Sequence, residues 1–157
     1  MNFLLSLGRI QLHLASAVVN ALIGIFVLLT LHAFSPIDPP PDSTAPFLVL
    51  LLVIGIFVPF YETWILVTCL ERARAHIKRR NLLAVTAGLC CGGLHYFNSW
   101  QSAVIVTLPF IFQCYLYCAG RDHGFDTRYA MRLLWFVHSF NNISVYSIGH
   151  LVDHFFP

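Results

Sequence analysis

The sequence predicts an all-α protein, a polytopic bundle of about five transmembrane helices, and three observations carry that prediction. Of its 157 residues 58% are hydrophobic and only 10% charged, where a soluble domain carries roughly 25% charged residues. Mean hydropathy is +0.74, and nine Lys+Arg with seven Asp+Glu cannot clothe a water-soluble globule. The apolar residues gather into five stretches near the roughly 20 residues that cross a bilayer. The same numbers exclude other classes. Disorder needs low hydrophobicity and high charge, and no nucleic acid is expected as a partner at a net charge of +2 with no basic face. No residues are left over for a soluble domain, so 1–157 reads as a single integral membrane domain.

The first stretch, 12–34, is too long for a signal-peptide core and lacks a small-residue cleavage site, so it reads as a retained span. The second, 45–70, is interrupted by Pro59, which removes a backbone donor and predicts a kink, or two short helices meeting at Val58-Pro59. The third, 82–97, is short and reads as extending into the basic stretch before it. It carries Gly88-Leu-Cys-Cys-Gly92, a small-xxx-small pattern that permits close helix packing within one molecule or between two. The fourth and fifth cover 102–119 and 133–152. All five cysteines fall in apolar segments, and their odd number without a C-x-x-C pair argues against a disulfide framework or a structural zinc site.

The connections set the orientation. Residues 35–44 are Pro-rich, with Asp38 and Asp42 and no cation, whereas Arg72, Arg74, Lys78, Arg79 and Arg80 crowd one connection and Arg121, Arg128 and Arg132 another. With Arg9 these complete the nine cations. The positive-inside rule places both basic connections and the N-terminus in the cytoplasm and the C-terminus outside, in what reads as a bacterial inner membrane. Tyr96, Phe97, Trp100 and Phe155-Phe156 then fall at the outer interface as an aromatic belt. Membrane lipids are the first expected partner, gripped through Arg72–Arg80 at about 1 kcal/mol per cation.

Ionisable residues inside spans cost roughly 2.5–3.5 kcal/mol to insert and default to a functional reading. Glu62 is the one acid well inside an apolar stretch, just past Pro59, and His95 lies near the end of the third. His138 and Asn142, four residues apart in the fifth, share a helix face, while Asn141 points about 100° away. A carboxylate, two imidazoles and an amide from three spans can converge on one water-filled cavity. There the carboxylate can work as a general base, and a His/Asn pair can donate to an oxyanion. Two other readings stand beside this one: an interhelical hydrogen-bond cluster, and a Glu/His/His zinc-type set, though no H-E-x-x-H is present. The remaining histidines, from His13 to His154, lie near span ends or in connections.

These residues sit in motifs. The run Val58-Pro-Phe-Tyr-Glu62-Thr63, followed by an apolar helix ending in Arg/Lys, resembles the first motif of the CPBP family of intramembrane proteases, which includes CAAX prenyl endopeptidases and bacteriocin-processing enzymes. Leu89-Cys-Cys91-Gly-Gly-Leu-His95 resembles the second, and His138-Ser-Phe-Asn-Asn142 resembles the third, His-x-x-x-Asn. Order and spacing agree from about residue 45 onward. Thr63 stands where a second Glu is usual, Val67 where Arg is, and Cys91 where Phe is, so the chain resembles a divergent Glu-Thr form. The resemblance implies an intramembrane endopeptidase, metal-independent and without cofactors, acting on a membrane-associated protein or peptide. In it Glu62 with His95 activates water, and His138 and Asn142 stabilise the oxyanion. A non-catalytic relative, a bacteriocin self-immunity factor or assembly partner, is the alternative it leaves open. His95 reads as closer to the outer face than Glu62 and His138, so a shared cavity requires tilt or a re-entrant kink.

The charge pattern makes a direct prediction. In a cysteine-free background, single cysteines within 71–80 and 121–132 label from the cytoplasmic side and one at position 42 does not; labelling of position 42 only from the cytoplasm would invert the topology.

Overall fold

The computed structural model describes residues 2–5, 7–34 and 46–155, without the side chains of Asn2, Phe47, Asp153, His154 and Phe155. The acidic connection 35–44 and Phe156 lie outside the described residues. Every regular element within them is helical: α1 (Asn2–Leu5), α2 (Arg9–Phe34), α3 (Phe47–Leu52), a π-helical turn (Val53–Phe57), α4 (Val58–Arg74), α5 (Arg80–Leu94), a 3₁₀ turn (His95–Phe97), α6 (Trp100–Asp122) and α7 (Thr127–Phe155).

Three helical segments are long and apolar enough to cross a membrane: Arg9–Phe34, Leu48–Arg74 and Trp100–Asp122. The 15-residue α5 is too short for that measure, and the 29-residue α7 is amphipathic and too polar. Large apolar side chains such as Phe26, Phe57 and Trp64 are exposed along the bundle, as a lipid-facing surface requires.

Successive long helices run in opposite directions, which gathers the basic segments at one end. Arg74 and Arg80 both reach Asp122, at 3.0 and 3.6 Å. Arg121 Nε donates to Glu71 at 2.9 Å, and the Tyr117 hydroxyl donates to the same carboxylate. The Arg80 guanidinium lies 4.8 Å from the Tyr115 ring centroid. These contacts explain a departure from the expected third element. The basic stretch is a turn in which α4 gives way at Ala75 and Arg79 is extended, so α5 begins only at Arg80.

The turn from α6 to α7 is closed by local chemistry. Gly124 has φ +93, the left-handed conformation that glycine adopts without penalty. Gly124 N–H donates to the Arg121 carbonyl and Phe125 N–H to the Gly120 carbonyl, the paired bonds of a Schellman ending. Asp126 then caps α7 by accepting from Tyr129 N–H at 2.8 Å, a bond that holds its carboxyl below the usual carboxylate range.

Packing is uneven along the bundle. Leu12, Leu70, Leu116, Tyr117, Leu133, Leu134 and Val137 form the main buried cluster, and all lie in the half nearer the charged end. Among the described residues the opposite half holds a small cluster of Val27, Leu28 and Ile105. Cys114 and Cys118 are buried in the main cluster, whereas Cys69 and Cys90 are exposed. Gly88 and Gly92 serve packing within the molecule: a Cβ on Gly88 would stand 2.6 Å from the Ile111 backbone, and one on Gly92 would collide with Thr107, both in α6.

A matched pair of substitutions tests this contact. Gly92→Ala should lower thermal stability in detergent by about 1–3 kcal/mol through overpacking. Gly93→Ala should leave it unchanged or raise it, because a Cβ there meets nothing within 4 Å and Ala is the better helix former.

Candidate active site

The site begins with the backbone before Pro59. Val58 N–H bonds to the Val53 carbonyl, a five-residue step, throughout the π turn's exit. In that register the next donor, residue 59, would serve the Ile54 carbonyl, and proline has no N–H to give. The interruption expected at Pro59 therefore takes the form of a widened turn. That freed carbonyl is satisfied from α7, where Asn142 Nδ2 donates to Ile54 O at 3.1 Å, and Trp135 Nε1 donates to the nearby Ile56 O at 3.2 Å. Gly55 lets α7 come close, since a Cβ there would lie 2.6 Å from Ile143.

This docking sets the polar residues against one another. Glu62 Oε2 stands 3.3 Å from His138 Nε2, and Glu62 Oε1 stands 3.8 Å from His95 Nε2. The Thr63 hydroxyl lies 3.4 Å from His138 Nδ1 on the other side of the ring. The His138 ring thus stands between the Glu62 carboxylate on its Nε2 side and the Thr63 hydroxyl on its Nδ1 side. Oε2 is buried and no donor among the described residues hydrogen-bonds to it, so its contact with His138 is one of proximity.

His95 reaches the pair through helix direction. Counted from the charged end of each helix at 1.5 Å per residue, Glu62 stands about 18 Å up, His138 about 17 Å and His95 about 23 Å. Side chains lean toward their own helix N-terminus. In α4, which runs toward the charged end, Glu62 leans away from it; at the close of α5, which runs the other way, His95 leans back. The two close a gap of about one turn without a re-entrant kink.

The cluster has a sealed side and an open side. The His138 side chain is 3% exposed, whereas those of Glu62 and His95 are 31% and 24% exposed. The Phe110 ring from α6 backs both imidazoles, its centroid 5.7 Å from that of His95 and 5.0 Å from that of His138. The open side is the seam between α4 and α5, where Glu62 and His95 meet. The two clefts at the charged end do not reach Glu62.

Of the residues singled out in the sequence, Glu62, His95 and His138 come together. Asn142 lies one turn beyond His138 with one amide N–H on Ile54 O. Asn141 faces α2 instead, its Oδ1 the nearest atom to a Cβ built on Gly24. Among the described residues no group of three His, Cys, Asp or Glu side chains is arranged to hold a metal ion. Thr63, Phe110 and Trp135 were not foreseen as contact residues; Thr63's adjacency to Glu62 was the one available signal. No protein-family model, curated protein or solved structure matches the chain.

The Pro59–Asn142 relation has a thermodynamic signature. Asn142→Leu strands a buried carbonyl and should cost about 1–3 kcal/mol of stability. In a Pro59→Ala background, which restores a backbone donor, the same change should cost roughly half as much or less; equal costs in both backgrounds would contradict the assignment.

Proposed function

We propose that this protein is an intramembrane endopeptidase that hydrolyses a peptide bond in a membrane-associated protein or peptide. The observation carrying this reading is one carboxylate between two imidazoles, closed on the His138 side and partly open on the seam where Glu62 and His95 meet. A substrate segment diffusing in the bilayer would enter through that seam. Water is bound between Glu62 and His95, and Glu62 takes a proton as the water oxygen attacks the scissile carbonyl carbon. The oxyanion is held by imidazole N–H and by the second N–H of Asn142. The carbon–nitrogen bond then breaks and the proton passes to the leaving amine. Five crossings complete the membrane reading, α5 and α7 joining the three apolar segments, with the N-terminus and charged end cytoplasmic and the C-terminus outside a bacterial inner membrane.

A second reading, a non-catalytic membrane protein of the CPBP type serving in self-immunity or assembly, is favoured by one observation. The Asn142 amide already serves the π turn, a task that a scaffold would require without any chemistry.

Comparison of newly formed N-termini in membranes carrying the native protein and Glu62→Gln separates the two. The enzyme reading expects cleavage products that vanish in Glu62→Gln, persist under strong chelators, and fall modestly in Thr63→Val. A Glu62→Gln protein with full biological function and unchanged stability would leave the scaffold reading standing.

A further inference from the structure

A cleft of about 530 Å³ opens at the charged end, between the start of α2 and the first turns of α7. Its polar lining is Arg9, His13, Tyr129 and Arg132. Arg9 lies 5.1 Å over the Tyr129 ring, which holds its guanidinium at the cleft. The Tyr129 residue is only 8% exposed, yet its hydroxyl has no hydrogen-bond partner among the described residues. His13 is fixed through Nδ1 on the Arg9 carbonyl and packs edge-on against Tyr129 and Phe136. Neither Arg9 nor Arg132 forms an ion pair among the described residues, and no acid lines the cleft. The acid that influences Arg132, Asp126, is already capping Tyr129 N–H.

Directly above the cations the lining changes character. Leu14 on α2 and Phe136 on α7 stand about one helical turn from Ile10 and Arg132, both exposed and on the side leading away from the charged end. A cationic floor with a buried phenol, continued by an apolar wall in the bilayer direction, is complementary to an amphiphile with an anionic head. We propose that this cleft binds an anionic membrane phospholipid, its phosphate between Arg9 and Arg132 and one acyl chain along Leu14 and Phe136. The basic stretch Arg72–Arg80 is the weaker candidate, because Arg74 and Arg80 are engaged by Asp122 and Tyr115.

Native mass spectrometry of the full chain, titrated with phosphatidylglycerol, phosphatidylcholine or glycerol phosphate, tests the assignment. Phosphatidylglycerol should bind preferentially. Arg132→Gln, which gives up a 3.4 Å hydrogen bond to the Arg128 carbonyl within its own helix, should weaken it about fivefold, and Arg9→Gln/Arg132→Gln about 30-fold. Arg72→Gln/Lys78→Gln, which removes equal charge elsewhere, should have little effect. If the Arg9 variant loses its fold by circular dichroism, Arg132→Gln alone decides. Equal losses in Arg132→Gln and in the Arg72/Lys78 control would overturn the site as diffuse electrostatics. Glycerol phosphate binding as tightly as the lipid would overturn it as an anion site without an acyl groove.

Discussion

A backbone carbonyl that loses its donor inside a bilayer has no water to turn to, and much of this structure is arranged around that constraint at Pro59. Proline withdraws one N–H, the helix widens into a π turn over Val53–Phe57, and α7 supplies Asn142 and Trp135 to the Ile54 and Ile56 carbonyls. The consequence reaches beyond local repair. Two side-chain hydrogen bonds set the register of α7 against the α3–α4 segment, and that register is what lays His138 beside Glu62 and Thr63. The cluster and the backbone defect are thus one assembly. A buried carboxylate–imidazole contact is poor glue by itself, since desolvating charges offsets much of what their attraction returns.

The second organising feature is the packing gradient. Leucines, Tyr117 and the two buried cysteines fill the half of the bundle near the charged end, where short turns and the Glu71–Arg121 and Arg74–Asp122 pairs tie the helices together. Toward the other end, among the described residues, Val27, Leu28 and Ile105 make a minor cluster. Glu62 and His95 lie where dense packing gives way, so they are partly exposed while His138, one layer deeper, is not.

Charge is divided in a related way. Some cations are consumed in the network that closes the bundle, Arg74, Arg80 and Arg121 among them. Others, Arg9 and Arg132, flank an open cleft with His13 and Tyr129. Sequence position does not separate these groups. Proximity of Asp122 and Glu71 does, and both acids reach their partners because α4 and α6 run parallel and end side by side at the charged end.

Composition and hydropathy by themselves determined the class of protein, because burial in lipid demands apolar residues in number and leaves little latitude in pattern. The identity of the polar residues was equally legible: Glu62, His95 and His138 are conspicuous where charge is costly, and the Gly88/Gly92 spacing announced a close helix contact. The boundaries were less so. The short third helix starts at Arg80, since ion pairs from distant residues decide where the chain turns. The role of Asn142 was open in the sequence, where a helix-face argument placed it with His138 but could not tell its acceptor. Only the tertiary structure decided that its amide meets the Ile54 carbonyl, and that His95 and Glu62 lean toward each other from oppositely directed helices. Linear spacing records which residues share a helix face; the meeting of two faces depends on direction, register and the donors that each backbone lacks.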